Sequence, residues 1–172
     1  MSIKIIACFD RSRAIGYKNK LLYKLPNDLK RFKELTTGHF VLFGRKTFQS
    51  VLKYNNGNPL SKRESIVLTK NENFEAPLGV HVFNNIESII NHYTKTGNQD
   101  RDLWICGGEQ IYRQAMPYAD EIYATLVDTV APKADSMFPV IDEKHWELVD
   151  SITNKADEKH KYDYVYLTYR RR

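Results

Sequence analysis

The alternation between short apolar segments and amphipathic segments along the first two thirds of the chain is the feature that most constrains the fold. Short apolar runs occupy 3–9, 39–44, 64–69, 80–83 and 102–108. Such runs are typical of strands buried on both faces, and parallel strands of this kind are joined by helical crossovers. The pattern therefore predicts an α/β fold with a central, mostly parallel sheet and helices on both of its faces.

Amphipathic segments with helical spacing separate these strands. One helix is predicted to begin at Pro26, a residue that the first turn tolerates, and another at Arg45. Two further helices are predicted over 85–97, which ends at a glycine, and over 109–119. The residues after the first strand, as far as Lys24, are predicted to form a polar loop.

The pattern changes in the final third of the chain. Aromatic and β-branched residues alternate with polar residues in 121–128, 146–152 and 162–170. This period of two is typical of half-buried strands. The three segments are predicted to close the sheet in hairpin style, with an antiparallel C-terminal edge strand.

The composition is that of one soluble domain. The 172 residues contain 42% hydrophobic and 27% charged residues, with no repeat and no Pro- or Ser-rich linker. No apolar run approaches the roughly 18 residues of a membrane span, and the first residues lack the shape of a signal peptide. A single intracellular, cytoplasmic domain over 1–172 is expected. Cys8 and Cys106 have no disulfide or metal-ligand spacing, so both are expected to be reduced and no metal site is expected.

The net charge of +5 is compatible with either a nucleic acid or an anionic small-molecule ligand. Lys and Arg are scattered along the chain, apart from clusters at 62–70 and 170–172, and no zinc-finger, RRM or homeodomain pattern accompanies them. The distribution favours an anionic small molecule, and no nucleic acid partner is expected.

One acid lies on the apolar face of the first predicted helix. At about 100° per residue, Leu25, Leu29, Phe32 and Leu35 fall on one arc, and Asp28 falls inside it. The carboxylate therefore points toward whatever this helix packs against. An acid in the first turn is also favoured by the helix dipole, and the wheel alone does not separate the two explanations.

Three strands end in residues suited to an anion. The segment 44–47 combines a glycine, two cations and a hydroxyl at a helix start, and Gly107 and Gly108 allow close backbone approach after another strand. Thr69 and Lys70 end a third strand. Each motif alone fits an ordinary turn or a solvated strand end, and the GxGxxG pattern of a Rossmann site is absent.

The joint order of these motifs resembles the dihydrofolate reductase family over essentially the whole chain. "AIG", "LPNDLKRFK", "GRKTF" and "GGEQIY" occur in the family's order and at its separations. The resemblance implies an eight-stranded sheet flanked by four helices, NADPH as the hydride donor, dihydrofolate as the substrate and antifolates as inhibitors. A monomer is expected.

The resemblance also implies a role for particular residues. Asp28 matches the active-site acid, Thr125 the hydroxyl that steadies it, and Arg63 the clamp for the carboxylate of the substrate's glutamate tail. The backbone carbonyls of Ile5 and Cys106 are expected near the pterin amino group. The other expected walls of the pterin pocket are Ile6, Ala7, Leu29, Phe32, Val51 and Leu60.

On the cofactor side, the resemblance implies that Ala7, Ile15 and Gly16 hold the nicotinamide end, with Thr69 and Lys70 on the 2′-phosphate. Two groups of residues are expected along the phosphates and the nicotinamide side: Gly44, Arg45, Lys46 and Thr47, and Gly107, Gly108, Glu109, Gln110, Ile111 and Tyr112.

The sequence departs from the family pattern in the loop over the site. Tyr23 occupies the position of the usual Trp, Leu22 that of the usual Pro, and one extra residue lies between Ala7 and Ile15. We expect the Tyr23 hydroxyl to take over the water contact of the indole N–H. A same-fold reductase of a ribosylamino-pyrimidine is the main alternative, but it should lack the acid at 28 and the clamp at 63.

Overall fold

The computed structural model describes residues 1–98 and 100–172. Within them the chain forms four α-helices and eleven strands. The helices are α1 (Pro26–Thr36), α2 (Arg45–Tyr54), α3 (Ile86–Lys95) and α4 (Glu109–Ala115), the last followed by a 3₁₀ turn over Met116–Tyr118. The strands are β1 (Ile3–Asp10), β2 (Ala14–Tyr17), β3 (Lys20–Leu21), β4 (Phe40–Gly44), β5 (Glu64–Leu68), β6 (His81–Phe83), β7 (Leu103–Ile105), β8 (Glu121–Val127), β9 (Ser136–Met137), β10 (Trp146–Asn154) and β11 (Tyr164–Arg171).

Eight strands form one sheet in the order β10-β11-β8-β1-β7-β4-β5-β6. Every pair from β8 to β6 is parallel, whereas β11 is antiparallel to both β8 and β10. The predicted fold class is therefore confirmed. β8 is antiparallel to β11, as predicted, but its other edge differs from the prediction because it runs parallel to β1, with Lys4 opposite Glu121 and Asp10 opposite Val127. Alternation reveals a half-buried strand but not the direction of its neighbour.

A second, three-stranded sheet has the order β3-β2-β9. Strands β2 and β3 lie in the segment that was predicted to be a polar loop, and β9 comes from a distant part of the chain. These strands have four, two and two residues, which is too short for a periodic signal. Lys18 and Asn19, both at positive φ, form the turn between β2 and β3.

The two faces of the large sheet carry different helices, as predicted. Successive β4 residues alternate between two apolar clusters, because neighbouring side chains of a strand point to opposite faces. The α3/α4 cluster contains Phe40 and Leu42, together with residues of α3 and α4. The α1/α2 cluster contains Val41 and Phe43, together with residues of α1 and α2. Each large side chain buried this way contributes about 1.5–3 kcal/mol.

None of the helices in the described residues is long and apolar enough to cross a membrane. The carboxyl ends of β1, β4, β5 and β7 meet at one edge of the large sheet, since these strands are parallel. Helices α2 and α4 begin next to this edge, so backbone N–H groups and polar side chains collect there.

Candidate active site

Asp28 lies in the first turn of α1 and faces the sheet. Its Oδ1 accepts a 2.5 Å hydrogen bond from Oγ1 of Thr125, a β8 residue that is only 2% exposed. This contact joins the two residues that the resemblance assigned as the acid and its steadying hydroxyl.

Burial raises the pKa of Asp28 above its ordinary value. The Thr125 hydroxyl, the charge of Arg31 and the Cys8 thiol act in the opposite direction, but burial is the largest cause. No salt bridge to Asp28 occurs within residues 1–98 and 100–172. The carboxylate therefore suits a ligand that brings its own hydrogen-bond donors.

The expected walls of the pterin pocket divide between the two faces of β1. Ile6 packs on the α1/α2 cluster, whereas Ile5 and Ala7 belong to the α3/α4 cluster on the opposite face. Ile5 and Ala7 therefore reach the Asp28 side only through their backbone. Leu29 is 50% exposed, as a wall of an open cleft would be. The remaining expected walls are half-buried against the α1/α2 cluster: Phe32, Val51, Leu60 and Cys106.

Arg63 lies at the rim of the same cluster and is held by neutral groups. Its Nε donates to the carbonyl of Ser61 at 2.9 Å, and its Nη1 donates to Thr36 Oγ1 at 3.3 Å. The guanidinium carbon lies 5.9 Å from the centre of the Phe32 ring. No acidic side chain of the described residues forms a salt bridge with Arg63, and burial lowers its pKa. This guanidinium can therefore still receive a carboxylate.

A groove of about 630 Å³ lies along the carboxyl ends of β4, β5 and β7. Thr69, Lys70 and Asn84 also line a second depression, of about 690 Å³, so the two are adjacent. Ten of the expected cofactor residues line the first groove: Gly44, Arg45, Lys46, Thr47, Thr69, Lys70, Gly108, Glu109, Gln110 and Ile111.

The start of α2 gives this groove its positive potential. Its N-cap is Gly44, which has no side chain to cap the free N–H groups, and its first turn contains no acid. Arg45, Lys46 and Lys70 form no salt bridge within the described part of the chain. Free backbone donors beside unpaired cations are the arrangement that binds phosphate.

Two glycines at this edge allow close packing that a larger residue would prevent. A Cβ on Gly44 would lie 3.0 Å from Cγ1 of Ile111, and a Cβ on Gly107 would lie 3.1 Å from the Tyr112 ring. Gly107 also has a φ of +107°, and its carbonyl accepts a 2.8 Å hydrogen bond from the Gly44 N–H. The ends of β4 and β7 are thereby held together at the groove floor.

Two expected cofactor residues already have protein partners. The Glu109 carboxylate accepts from the Met137 N–H at 2.5 Å and pairs with Arg113 at 3.3 Å. The Tyr112 hydroxyl donates to the Ile6 carbonyl at 2.8 Å. These side chains attach α4 to β9 and to β1, and so they shape the site without offering free donors.

The loop from Lys18 to Lys24, here called the lid, lies between β1 and α2. The carbonyl of Asn19 accepts from Ser50 Oγ at 3.0 Å, and the N–H of Lys18 donates to Asp135 at 2.9 Å. Ile15 and Gly16 belong to β2, at the base of the lid, where Gly16 pairs with Leu21 of β3. The lid is therefore attached both to α2 and to the small sheet.

Tyr23 attaches the lid to β1. Its hydroxyl donates to Oδ2 of Asp10 at 2.7 Å, and Asp10 is fully buried. Asp10 also accepts hydrogen bonds from Ser12, Ala14 and Ala131, which lower its pKa against the opposing effect of burial. Since the only hydroxyl proton of Tyr23 is used, this oxygen can bind water as an acceptor, whereas an indole N–H can only donate.

The role of Asp10 in holding Tyr23 was not predicted. In the sequence, Asp10 is only an acid that directly follows an apolar run, and its hydrogen-bond partners are as distant as Ala131. No group of three or more His, Cys, Asp or Glu side chains among residues 1–98 and 100–172 is placed to hold a metal ion.

Comparisons with known proteins agree with this geometry. The Dihydrofolate reductase family model matches residues 2–171. The chain is 36% identical to a dihydrofolate reductase of Bacillus subtilis over 170 residues, covering 99% of this chain and 95% of that protein. It is 34% identical to a dihydrofolate reductase of Staphylococcus aureus over 167 residues, covering 97% and 96%. A solved structure of dihydrofolate reductase from Enterococcus faecalis, complexed with NADP(H) and RAB-propyl, superposes with a TM-score of 0.87 at 34% identity, covering 99% and 96% of the two chains. This chain belongs to the dihydrofolate reductase family.

Proposed function

We propose that residues 1–172 form one domain that reduces 7,8-dihydrofolate to tetrahydrofolate, with NADPH as the hydride donor. The observation that carries this proposal is the position of Asp28: a half-buried carboxylate that accepts a hydrogen bond from the Thr125 hydroxyl, at the same edge of the sheet as the cationic groove. When bound, the nicotinamide supplies the hydride, which passes from its C4 to C6 of the pterin while a proton reaches N5.

The substrate-binding residues fix the pterin and its tail at separate points. Asp28 accepts hydrogen bonds from the amidine-like edge of the pterin, and its negative charge raises the basicity of the ring. Leu29 and Phe32 supply the apolar walls, and Arg63 binds the carboxylate of the glutamate tail. A carboxylate that forms no salt bridge within the described residues exerts much of its charge on the ligand.

The cofactor-binding residues distinguish the phosphates from the nicotinamide. The α2 N-terminus with Arg45 and Lys46 binds the pyrophosphate, and Thr69 with Lys70 binds the 2′-phosphate. Ala7 and Ile15 would hold the nicotinamide end. This arrangement fits the groove, whose unpaired cations lie at the start of α2 and after β5.

The lid excludes water and limits which groups can deliver the proton. Tyr23 is held by Asp10, so it orders water through its oxygen lone pair instead of donating its proton. Asp10, the carboxylate that holds Tyr23, takes its hydrogen bonds from the protein, and its pKa is lowered. We therefore assign delivery of the proton to a water that Tyr23 and the pterin share.

We also propose a cellular location and an oligomeric state for the enzyme. It acts as a monomer in the cytoplasm, a reducing compartment that suits its two free, partly buried thiols, and antifolates compete for the pterin cleft. Sedimentation of the purified chain, alone and with an antifolate, tests the monomer.

The deciding experiment follows NADPH consumption by absorbance with dihydrofolate and, in parallel, with a ribosylamino-pyrimidine. We expect turnover with dihydrofolate alone. Turnover with the pyrimidine alone would identify the same-fold alternative, and the Asp28 carboxylate would then need another role.

A further inference from the structure

The helix that carries Asp28 cannot cap its own N-terminus. Its N-cap residue, Leu25, makes no side-chain capping hydrogen bond, and Pro26 has no N–H. The first free donor of α1 is therefore the N–H of Asn27, the residue directly before the acid. It donates to Nε2 of His160 at 3.3 Å, across 133 positions of sequence.

His160 is placed to accept this bond and little else. It lies in the hairpin between β10 and β11, and it is only 1% exposed. Its Nδ1 lies 2.8 Å from Oδ1 of Asp157, a partner that can only accept when it is ionised. The Nδ1 proton therefore points to Asp157, which leaves the Nε2 lone pair for the helix.

A second contact fixes the same residue of α1. The Asn27 side-chain amide donates to the Tyr164 hydroxyl at 3.0 Å, and the Tyr164 ring lies 5.0 Å from the His160 ring. The first turn of α1 is thus held from β11 and from the hairpin before it. Asp28 follows immediately and must meet Thr125 on β8, so a shift of this turn moves the carboxylate.

From these contacts we infer that His160 is a positioning residue: it caps α1 from a distant hairpin and so fixes the Asp28 carboxylate against Thr125 and the substrate. The inference rests on the proposed function, because it assigns Asp28 to the pterin. His160 itself contacts no substrate, so its effect is confined to the placement of the acid.

Three variants distinguish a positioning role of His160 from a contribution to stability alone. His160→Leu removes both ring hydrogen bonds, whereas His160→Gln keeps an acceptor near the Nε2 position. Asp163→Ala is the matched control: Asp163 accepts the Ala156 N–H at 2.7 Å in the same hairpin, so its loss weakens the hairpin without removing the cap. Thermal midpoint, Kd for NADPH, Kd for dihydrofolate and single-turnover hydride transfer are measured on each folded variant.

We expect His160→Leu to slow hydride transfer and weaken dihydrofolate binding by about tenfold each, the scale of a lost cap that misplaces a reacting group. The Kd for NADPH should not change, His160→Gln should recover most of the loss, and Asp163→Ala should lower only the midpoint. A His160→Leu protein with a lower midpoint and unchanged hydride transfer would overturn the inference. So would equal losses in His160→Gln and His160→Leu, or a matching loss of NADPH affinity. A wild-type protein that binds NADPH and does not reduce dihydrofolate overturns the proposed function, and the inference with it.

Discussion

The Tyr23→Phe substitution deletes one hydroxyl and, with it, the bond between the lid and β1. That bond is 2.7 Å long and ends on a buried carboxylate, and hydrogen bonds to charged groups contribute roughly 1.5–3 kcal/mol. Because Asp10 retains donors from Ser12, Ala14 and Ala131, the lower value applies, about 1.5 kcal/mol. At about 2–4 °C per kcal/mol for a chain of this size, the thermal midpoint should fall by about 3–6 °C.

The pH dependence of this loss follows from Asp10. Its pKa is lowered in the folded protein, so its contribution is complete above the ordinary carboxyl pKa of about 3.9 and is lost as the pH falls through the lower folded value. The midpoint difference between Tyr23→Phe and wild type should therefore stay constant from about pH 5 to 8 and shrink in stronger acid.

We expect the same bond to set how often the lid is closed. Loss of about 1.4 kcal/mol lowers a closed-to-open ratio about tenfold, and a lid that opens more often admits water to the site. Single-turnover hydride transfer and the midpoint are measured for Tyr23→Phe beside Tyr162→Phe, the control at the aromatic neighbour whose ring centre lies 6.4 Å from that of Tyr23. If the two variants share the same midpoint and the same rate, the Tyr23–Asp10 bond does not hold the lid.

Three further variants, Asp28→Asn, Arg63→Leu and Lys70→Glu, test the proposed ligand-binding residues. Asp28→Asn should slow hydride transfer at neutral pH by about 10²-fold or more, with recovery in acid where solution protonates the substrate; a pH series of single-turnover rates measures this. Because burial raises the pKa of Asp28, ionisation of this carboxyl opposes folding at pH values above the ordinary carboxyl pKa. The thermal midpoint of Asp28→Asn should therefore be higher than that of wild type at pH 7, and this gain should disappear below about pH 4. Arg63→Leu should raise the KM for dihydrofolate and leave a dihydropterin without the tail unaffected; equal losses in steady-state assays would make Arg63 structural. Lys70→Glu should reduce the preference for NADPH over NADH, since each charge-assisted hydrogen bond to the 2′-phosphate contributes roughly 1.5–3 kcal/mol. Equal kcat/KM values for NADPH and NADH in the unmodified protein would contradict the assignment of Lys70.

Local sequence patterns predicted the fold and the face of α1 on which Asp28 lies. The helical spacing that placed Asp28 between Phe32 and Leu35 is a property of neighbouring residues, and the structure does turn this face toward the sheet. The alternation of apolar runs likewise predicted the parallel sheet, because buried strands need apolar side chains on both faces.

Contacts between distant residues could not be obtained in this way. Asp10 meets Ala131 across 121 positions, and His160 meets Asn27 across 133, and neither pair shares a period or a motif. The direction of β8 and the short strands of the small sheet depend on tertiary pairing for the same reason. Residues that position others through long-range contacts leave no local pattern in a single sequence.

Side chains on the two faces of β1 should differ in how well they tolerate mutation. Ile5 and Ala7 belong to the α3/α4 cluster, where a lost methyl group leaves a cavity and costs stability. Ile6 is partly exposed on the opposite face, in the α1/α2 cluster with Phe32 and Val51, the walls we propose for the pterin cleft, so we expect a change there to alter ligand contacts at a smaller cost to folding. Variants that escape an antifolate while still folding should therefore collect at Ile6 and its cleft neighbours, and spare the residues on either side of it in the same strand.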